Sequence, residues 1–192
     1  MASGLTLVLG GVRSGKSAYA EKLAGELGRP TLYLATAQAT DAEMAERIRR
    51  HRERRPAEWR TLEEPLDLAG ALRGALTALD PPGVVLVDSL DVWVSNLLLQ
   101  HENLDSKALE ALVLGQTDQV IAASRESAAA FFLVSSEVGL SLVPPNPLGR
   151  RFQDLLGLVN QRVAAAARQV YLVVAGIPLE VKAGGPAGHQ GN

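Results

Sequence analysis

The chain has 192 residues and a formal net charge of −2, with 19 lysines and arginines against 21 aspartates and glutamates. That balance excludes a general nucleic-acid binder, which needs a broad basic surface for phosphates. Cysteine is absent, which excludes disulfides, thiol catalysis and cysteine metal sites and fits the reducing cytoplasm expected here.

A hydrophobic content of 47% with 21% charged residues can build a full globular core. No apolar run approaches the ~18 residues of a membrane span, and the N-terminus reads straight into a strand with no cleavable leader. One domain over residues 1–182 with a flexible tail over 183–192 is the expected organisation.

Leu5–Leu9 is a continuous apolar run, as in a central strand buried on both faces. It leads into Gly10, Gly11, Val12, Arg13, Ser14, Gly15, Lys16 and Ser17, which spell Gly-x-x-x-x-Gly-Lys-Ser. Between a strand and a helix this is a phosphate-binding loop. Its glycines let backbone N–H groups approach phosphates, and the helix N-terminus adds unpaired donors. Lys16 would reach the outer phosphates and the Ser17 hydroxyl a magnesium ion. The helix is predicted over Lys16–Leu27, and a second strand over Thr31–Ala35. Thr36, Ala37 and Gln38 then fall at a strand's carboxyl end, where open α/β sheets gather ligands; an ordinary loop is the alternative.

A helix is predicted over Asp41–Arg54, capped by Asp41 or Thr40, with Met44, Ile48 and His51 along one line. Arg47, Arg49, Arg50, Arg52, Arg54 and Arg55 make this the most basic stretch. They form either a solvated helix end or a segment that receives a polyphosphate. Further on, a helix is predicted over Pro65–Leu79, a turn at Asp80–Gly83 and a strand over Val84–Val87 that ends at Asp88. A carboxylate there is the magnesium-side acid of phosphate-loop enzymes, or else a helix cap. Helices over Val92–Leu99 and Ser106–Ala123 and a strand over Ala129–Ser135 follow. The proline-rich stretch Val143–Pro147 breaks regular structure. A long helix over Leu148–Arg168 carries Asn160 and Gln161, a pair expected to be solvated or satisfied locally. Val170–Ala175 is the last predicted strand. Five strands alternating with helices predict an α/β fold, a single doubly wound, mostly parallel sheet of the P-loop NTPase type.

The chain resembles the bifunctional adenosylcobinamide kinase/adenosylcobinamide-phosphate guanylyltransferase family of cobalamin biosynthesis, from about Leu5 to Lys182. The matching stretches are GGVRSGKS at 10–17, YLATAQ at 33–38, DAEMAERIRRHRERRPAEWRTLEEP at 41–65 and LVDSLDVWVSNLL at 86–98. SSEVGLSLVPPNPLGRRFQDLLGLVNQRVAAAA at 135–167 and VYLVVAGIP at 170–178 complete them. The resemblance implies two reactions at overlapping nucleotide sites. ATP or GTP phosphorylates the aminopropanol hydroxyl of adenosylcobinamide. A histidine, matched here by His51, then takes GMP from GTP and passes it to adenosylcobinamide phosphate, giving adenosylcobinamide-GDP. Neutral imidazole is the nucleophile, and nearby arginines disfavour imidazolium.

Carried over residue by residue, the implied nucleotide contacts are Gly10–Ser17, Thr36, Ala37, Gln38, Arg52, Glu53, Arg54, Arg55, Glu63 and Asp88. Lys16 and His51 are the catalytic pair, and Ser17 and Asp88 hold Mg2+. Some family members have a second histidine where Arg50 stands, and others have Glu in place of Asp88. A homo-oligomer, a trimer, is implied by the resemblance alone. The competing readings are a single-activity P-loop small-molecule kinase and a GTP-dependent regulatory protein.

Overall fold

The computed structural model describes residues 4–39, 42–53, 55–77 and 83–183. In chain order the elements are β1 (Gly4–Gly10), α1 (Lys16–Glu26), β2 (Thr31–Ala35), α2 (Ala42–Glu53), β3 (Arg60–Glu63), α3 (Leu68–Leu76), β4 (Val84–Asp88), α4 (Leu90–Gln100), α5 (Ser106–Glu126), β5 (Ala130–Ser136), α6 (Pro147–Ala166), β6 (Gln169–Val174) and β7 (Ile177–Lys182). The Thr40 and Asp41 caps, Arg54, the segment from Leu79 to Pro82 and the glycine-rich stretch after Ala183 lie outside the described residues, as do the Met44 and Arg47 side chains.

The strands form one sheet in the order β3-β2-β4-β5-β1-β6-β7. All neighbours run parallel except β6 and β7. β2 and β5 are buried at every position, which is why their sequences read as unbroken apolar runs instead of alternating patterns. Successive strand residues supply opposite faces. Leu5, Leu7, Leu32, Leu34, Val85 and Phe131 pack under α3, α4, α5 and α6. Val8, Tyr33, Leu86, Phe132 and Val134 meet Ala20 and Ala24 of α1 on the other face, with Trp59 against them. Helices cover both faces. No helix among the described residues is long and apolar enough to cross a membrane.

The sheet has seven strands where five were expected. β3 is mostly exposed along Arg60–Glu63, so no apolar run announces it; the edge of β2 recruits it by parallel pairing. β7 returns antiparallel through Ala175 and Gly176, both at positive φ (50° and 81°). That is the backbone of a two-residue hairpin turn. The alternation of Ile177, Leu179 and Val181 was the legible sign of this strand.

Some helix bounds also move. The helix expected from Pro65 begins at Leu68, because Asp67 caps it by accepting from Gly70 N at 2.9 Å. Glu64 also turns back on the N–H groups of Leu66 and Asp67. Pro147 is not a breaker but the first residue of α6, behind the Asn146 cap, where its missing N–H costs nothing.

Candidate nucleotide site

β1 delivers Gly10 to the carboxyl edge of the sheet, and the chain curls from Gly11 to Gly15 before α1 starts. Gly15 holds φ 95° as the N-cap of α1, a conformation that strains any residue with a Cβ. At Gly10 a Cβ would stand 2.7 Å from the Val173 carbonyl oxygen. The loop is therefore packed against β6 as tightly as glycine permits. Ser14 N–H donates to the Gly11 carbonyl at 3.2 Å, and Gly176 N–H donates to that of Ser14 at 2.8 Å. Lys16 Nζ folds back toward the Gly11 carbonyl at 3.4 Å.

The neighbouring strands add the acidic side. Asp88, the last residue of β4, accepts from Ser17 Oγ at 3.1 Å and from the Tyr33 hydroxyl at 2.5 Å. It is not the cap of α4, whose N-cap is Ser89. Burial, and next the Asp88 charge, push the Tyr33 hydroxyl far above the ordinary tyrosine range. It remains a donor at any working pH. The Arg55 guanidinium lies 3.3 Å from the centroid of the Tyr33 ring, a desolvated cation–π stack. Its Nε and Nη1 are buried without a hydrogen-bond partner among the described residues, a condition an anionic ligand would relieve.

α2 brings the remaining chemistry. His51 lies in its last turn, with Nδ1 3.8 Å from Asp88 Oδ2 and a side chain 31% exposed. Arg52 pairs with Glu63 and so ties the end of α2 to β3. Glu46 accepts from Arg49 and Arg50, and these bonds hold its carboxyl down at about 2.

Tyr33, Arg50, His51, Arg52, Arg55 and Asp88 face one open cavity of about 880 Å³ together with the phosphate loop. Of the residues expected from sequence, Val12, Arg13, Ser14, Gly15, Lys16, Ser17, Ala37, His51, Arg52, Glu53, Arg55, Glu63 and Asp88 line it. Gly10 is buried behind the wall, and exposed Gly11 faces a second cavity of about 680 Å³. Thr36 does not reach the cavity. It is fully buried, and its hydroxyl donates to the Ser89 carbonyl at 2.8 Å and accepts from Ser89 N–H at 2.9 Å. Thr36 thus locks β2 to the end of β4 and shapes the wall from behind. Exposed Gln38 is not on the wall either, and Arg54 lies outside the described residues.

Four further groups were not expected from sequence: Tyr33, Asp91 and Ser136 on the cavity wall, and Glu21 beside His51 and Asp88. Asp91 and Ser136 also line the cavity and bond to one another, Ser136 Oγ donating to Asp91 Oδ2 at 2.8 Å. Tyr33 reads in sequence as one more strand residue. Glu21 had a legible sign, since it stands one helical turn after Ser17 on the same face of α1. The expectation that Asn160 is solvated or locally satisfied also fails. It is buried, accepting from Ser135 Oγ at 2.6 Å and donating to the Ser136 carbonyl at 3.0 Å. It pins the end of β5 beside the loop.

A family model described as cobinamide kinase / cobinamide phosphate guanyltransferase matches residues 6–181. A bifunctional adenosylcobalamin biosynthesis protein of Pseudomonas aeruginosa is 45% identical over 176 residues, covering 92% of this chain and 96% of that protein. Proteins of the same description from Escherichia coli K12 and Salmonella typhimurium LT2 are 40% and 41% identical over 184 residues, covering 93% of this chain and 99% of each relative. With its phosphate loop, acidic strand end and basic helix gathered at one cavity, this chain belongs to the cobinamide kinase / cobinamide phosphate guanyltransferase family.

Proposed function

We propose that one cavity serves both reactions of this bifunctional transferase of cobalamin biosynthesis. In the first, the aminopropanol hydroxyl of adenosylcobinamide takes the γ-phosphoryl group of ATP or GTP. In the second, a ring nitrogen of His51 attacks the α-phosphorus of GTP. The N–P bond forms as the P–O bond to the β-phosphate breaks, and its electron pair leaves with pyrophosphate. A phosphate oxygen of adenosylcobinamide phosphate then displaces the histidine, giving adenosylcobinamide-GDP. The observation that carries this reading is that His51 faces the same cavity as Lys16, Ser17 and Asp88. A kinase of the plain phosphate-loop kind has no use for a histidine there.

The residues have distinct tasks in this reading. Backbone N–H groups of Gly10–Ser17 cradle the phosphates, and Lys16 follows the charge that moves onto the outer ones. Arg52 and Arg55 offset charge on the triphosphate and the departing pyrophosphate. Arg54, Glu53, Glu63, Ala37, Thr36 and Gln38 belong to the nucleotide pocket by resemblance, Thr36 from behind the wall. The hydroxyl of Ser17 and the carboxylate of Asp88 are the hard oxygen donors that suit Mg2+, and they already lie side by side. Bound there with the nucleotide, Mg2+ supplies charge neutralisation at the phosphate oxygens.

The same proposal includes a cytoplasmic location and a homo-oligomer, a trimer by resemblance. The oligomer is supported by β7, an edge strand that exposes Ile177, Leu179 and Val181.

Incubation with Mg-GTP and intact-mass measurement tests the central claim. One added GMP group is expected, acid-labile and alkali-stable, and absent in His51→Ala. Active phosphorylation of adenosylcobinamide with no adduct at any time would overturn guanylyl transfer through His51.

A further inference from the structure

His51 is flanked by two carboxylates. Glu21, Asp88 and His51 each offer a ligand-type atom, and these three atoms lie within 4.8 Å of one another. The three come from separate elements: Glu21 from α1, Asp88 from the end of β4 and His51 from α2. All three are half-buried.

The two acids are not equivalent. Asp88 accepts from Ser17 through Oδ1 and from Tyr33 through Oδ2, and its approach to His51 Nδ1, 3.8 Å, is longer than a hydrogen bond. Binding of a metal beside Ser17 commits Asp88 further. Glu21 stands on the same face of α1 as Ser17, one turn on, and its carboxylate comes within 4.8 Å of a ring nitrogen of His51.

A nucleophilic imidazole needs one nitrogen bare and aimed at the reacting atom. The group that holds the N–H of the other nitrogen decides which one that is. We propose that Glu21 is the positioning residue for His51, accepting the N–H of one ring nitrogen so that the lone pair of the other faces the α-phosphorus. The inference rests on the histidine-intermediate reading above. As the N–P bond forms and the P–O bond to the leaving pyrophosphate breaks, the ring becomes cationic. The proton stays on the far nitrogen, and the Glu21 carboxylate offsets the new charge. When adenosylcobinamide phosphate takes the GMP group, the N–P electron pair returns to the ring and the same hydrogen bond persists. No other reactant is required.

The two activities separate positioning from mere structure, because phosphorylation of adenosylcobinamide does not use His51. α1 carries Lys16 and Ser17, so a general disturbance of the helix would depress both reactions alike. The experiment compares the full-length wild type with Glu21→Gln and Glu21→Asp, following single-turnover GMP-adduct formation by intact mass at saturating Mg-GTP and phosphorylation of adenosylcobinamide in parallel. Glu21→Gln is expected to slow adduct formation about tenfold more than it slows phosphorylation, the size seen when the carboxylate that orients a metal-bound histidine is removed. Glu21→Asp, which keeps the carboxylate, should recover part of that rate. An adduct formed at the wild-type rate in Glu21→Gln would overturn the positioning role alone. An equal fall of both activities in both variants would overturn it as well, in favour of a structural role. Absence of any adduct in the wild type would remove the histidine intermediate first, and this role with it.

Discussion

At the residue scale, Asp88 is the acid that meets Ser17, Tyr33 and His51 at once. Asp88 is only 10% exposed, and two hydroxyl donors, Ser17 and Tyr33, serve its two oxygens. Tyr33→Phe keeps the packed ring and deletes one donor. It leaves a buried carboxylate oxygen short of a partner, and the expected cost is about 1–3 kcal/mol in urea denaturation. Lys16→Ala tests the shared loop. It should lower both phosphorylation and guanylylation by about a hundredfold, the scale seen when one donor to transition-state charge is removed. Normal guanylylation in that variant would mean separate phosphate sites. The loop motif and the arginine/histidine stretch were legible because each is contiguous in sequence. The Tyr33–Asp88 contact was not, since 55 residues separate its partners and only the pairing of β2 with β4 joins them.

At the element scale, α2 carries His51, on which the proposed guanylyl transfer turns. Its face is charged, and side-chain pairs within the helix support it. Glu46 bonds to Arg49 and Arg50, and Arg49 also reaches Glu53. The hydrogen bonds from Arg49 and then Arg50 lower the Glu46 carboxyl from 4.5 to about 2. A carboxyl lowered on folding stabilises the folded form above its unfolded value and loses that contribution as pH falls through the folded one. Glu46→Gln should therefore weaken amide protection along α2 at pH 7, as read by hydrogen exchange. The difference from wild type should close as pH drops from 4.5 through about 2. These groups are well exposed, so the effect is small and salt-sensitive. An undiminished difference at the acid end would show that the pairs do not support the helix. The helix was readable from its periodicity and its terminal arginines. β3, which receives the Arg52–Glu63 pair, was hidden because its charged residues carry no strand pattern.

At the scale of the whole molecule, the sheet order puts β1 between β5 and β6, so the phosphate loop emerges beside Ser136 of β5 and against Val173 of β6. β7 closes that side of the sheet with Ile177, Leu179 and Val181 uncovered. Replacing Leu179 and Val181 by lysine should convert the proposed oligomer to single chains, read by light scattering; an unchanged mass would locate the interface elsewhere. The amino-acid sequence alone carried the α/β class and the phosphate-loop motif, whereas His51 stood out as a nucleophile only through the family resemblance. The class and the motif rest on local periodicity, on glycine's backbone freedom and on motifs whose members are consecutive. Only the tertiary structure decided that Glu21 and Asp88 flank His51, that Thr36 and Asn160 act from behind the wall, and that β3 and β7 extend the sheet. Contacts between residues distant in the chain follow from strand order and packing, and no short stretch of sequence encodes either.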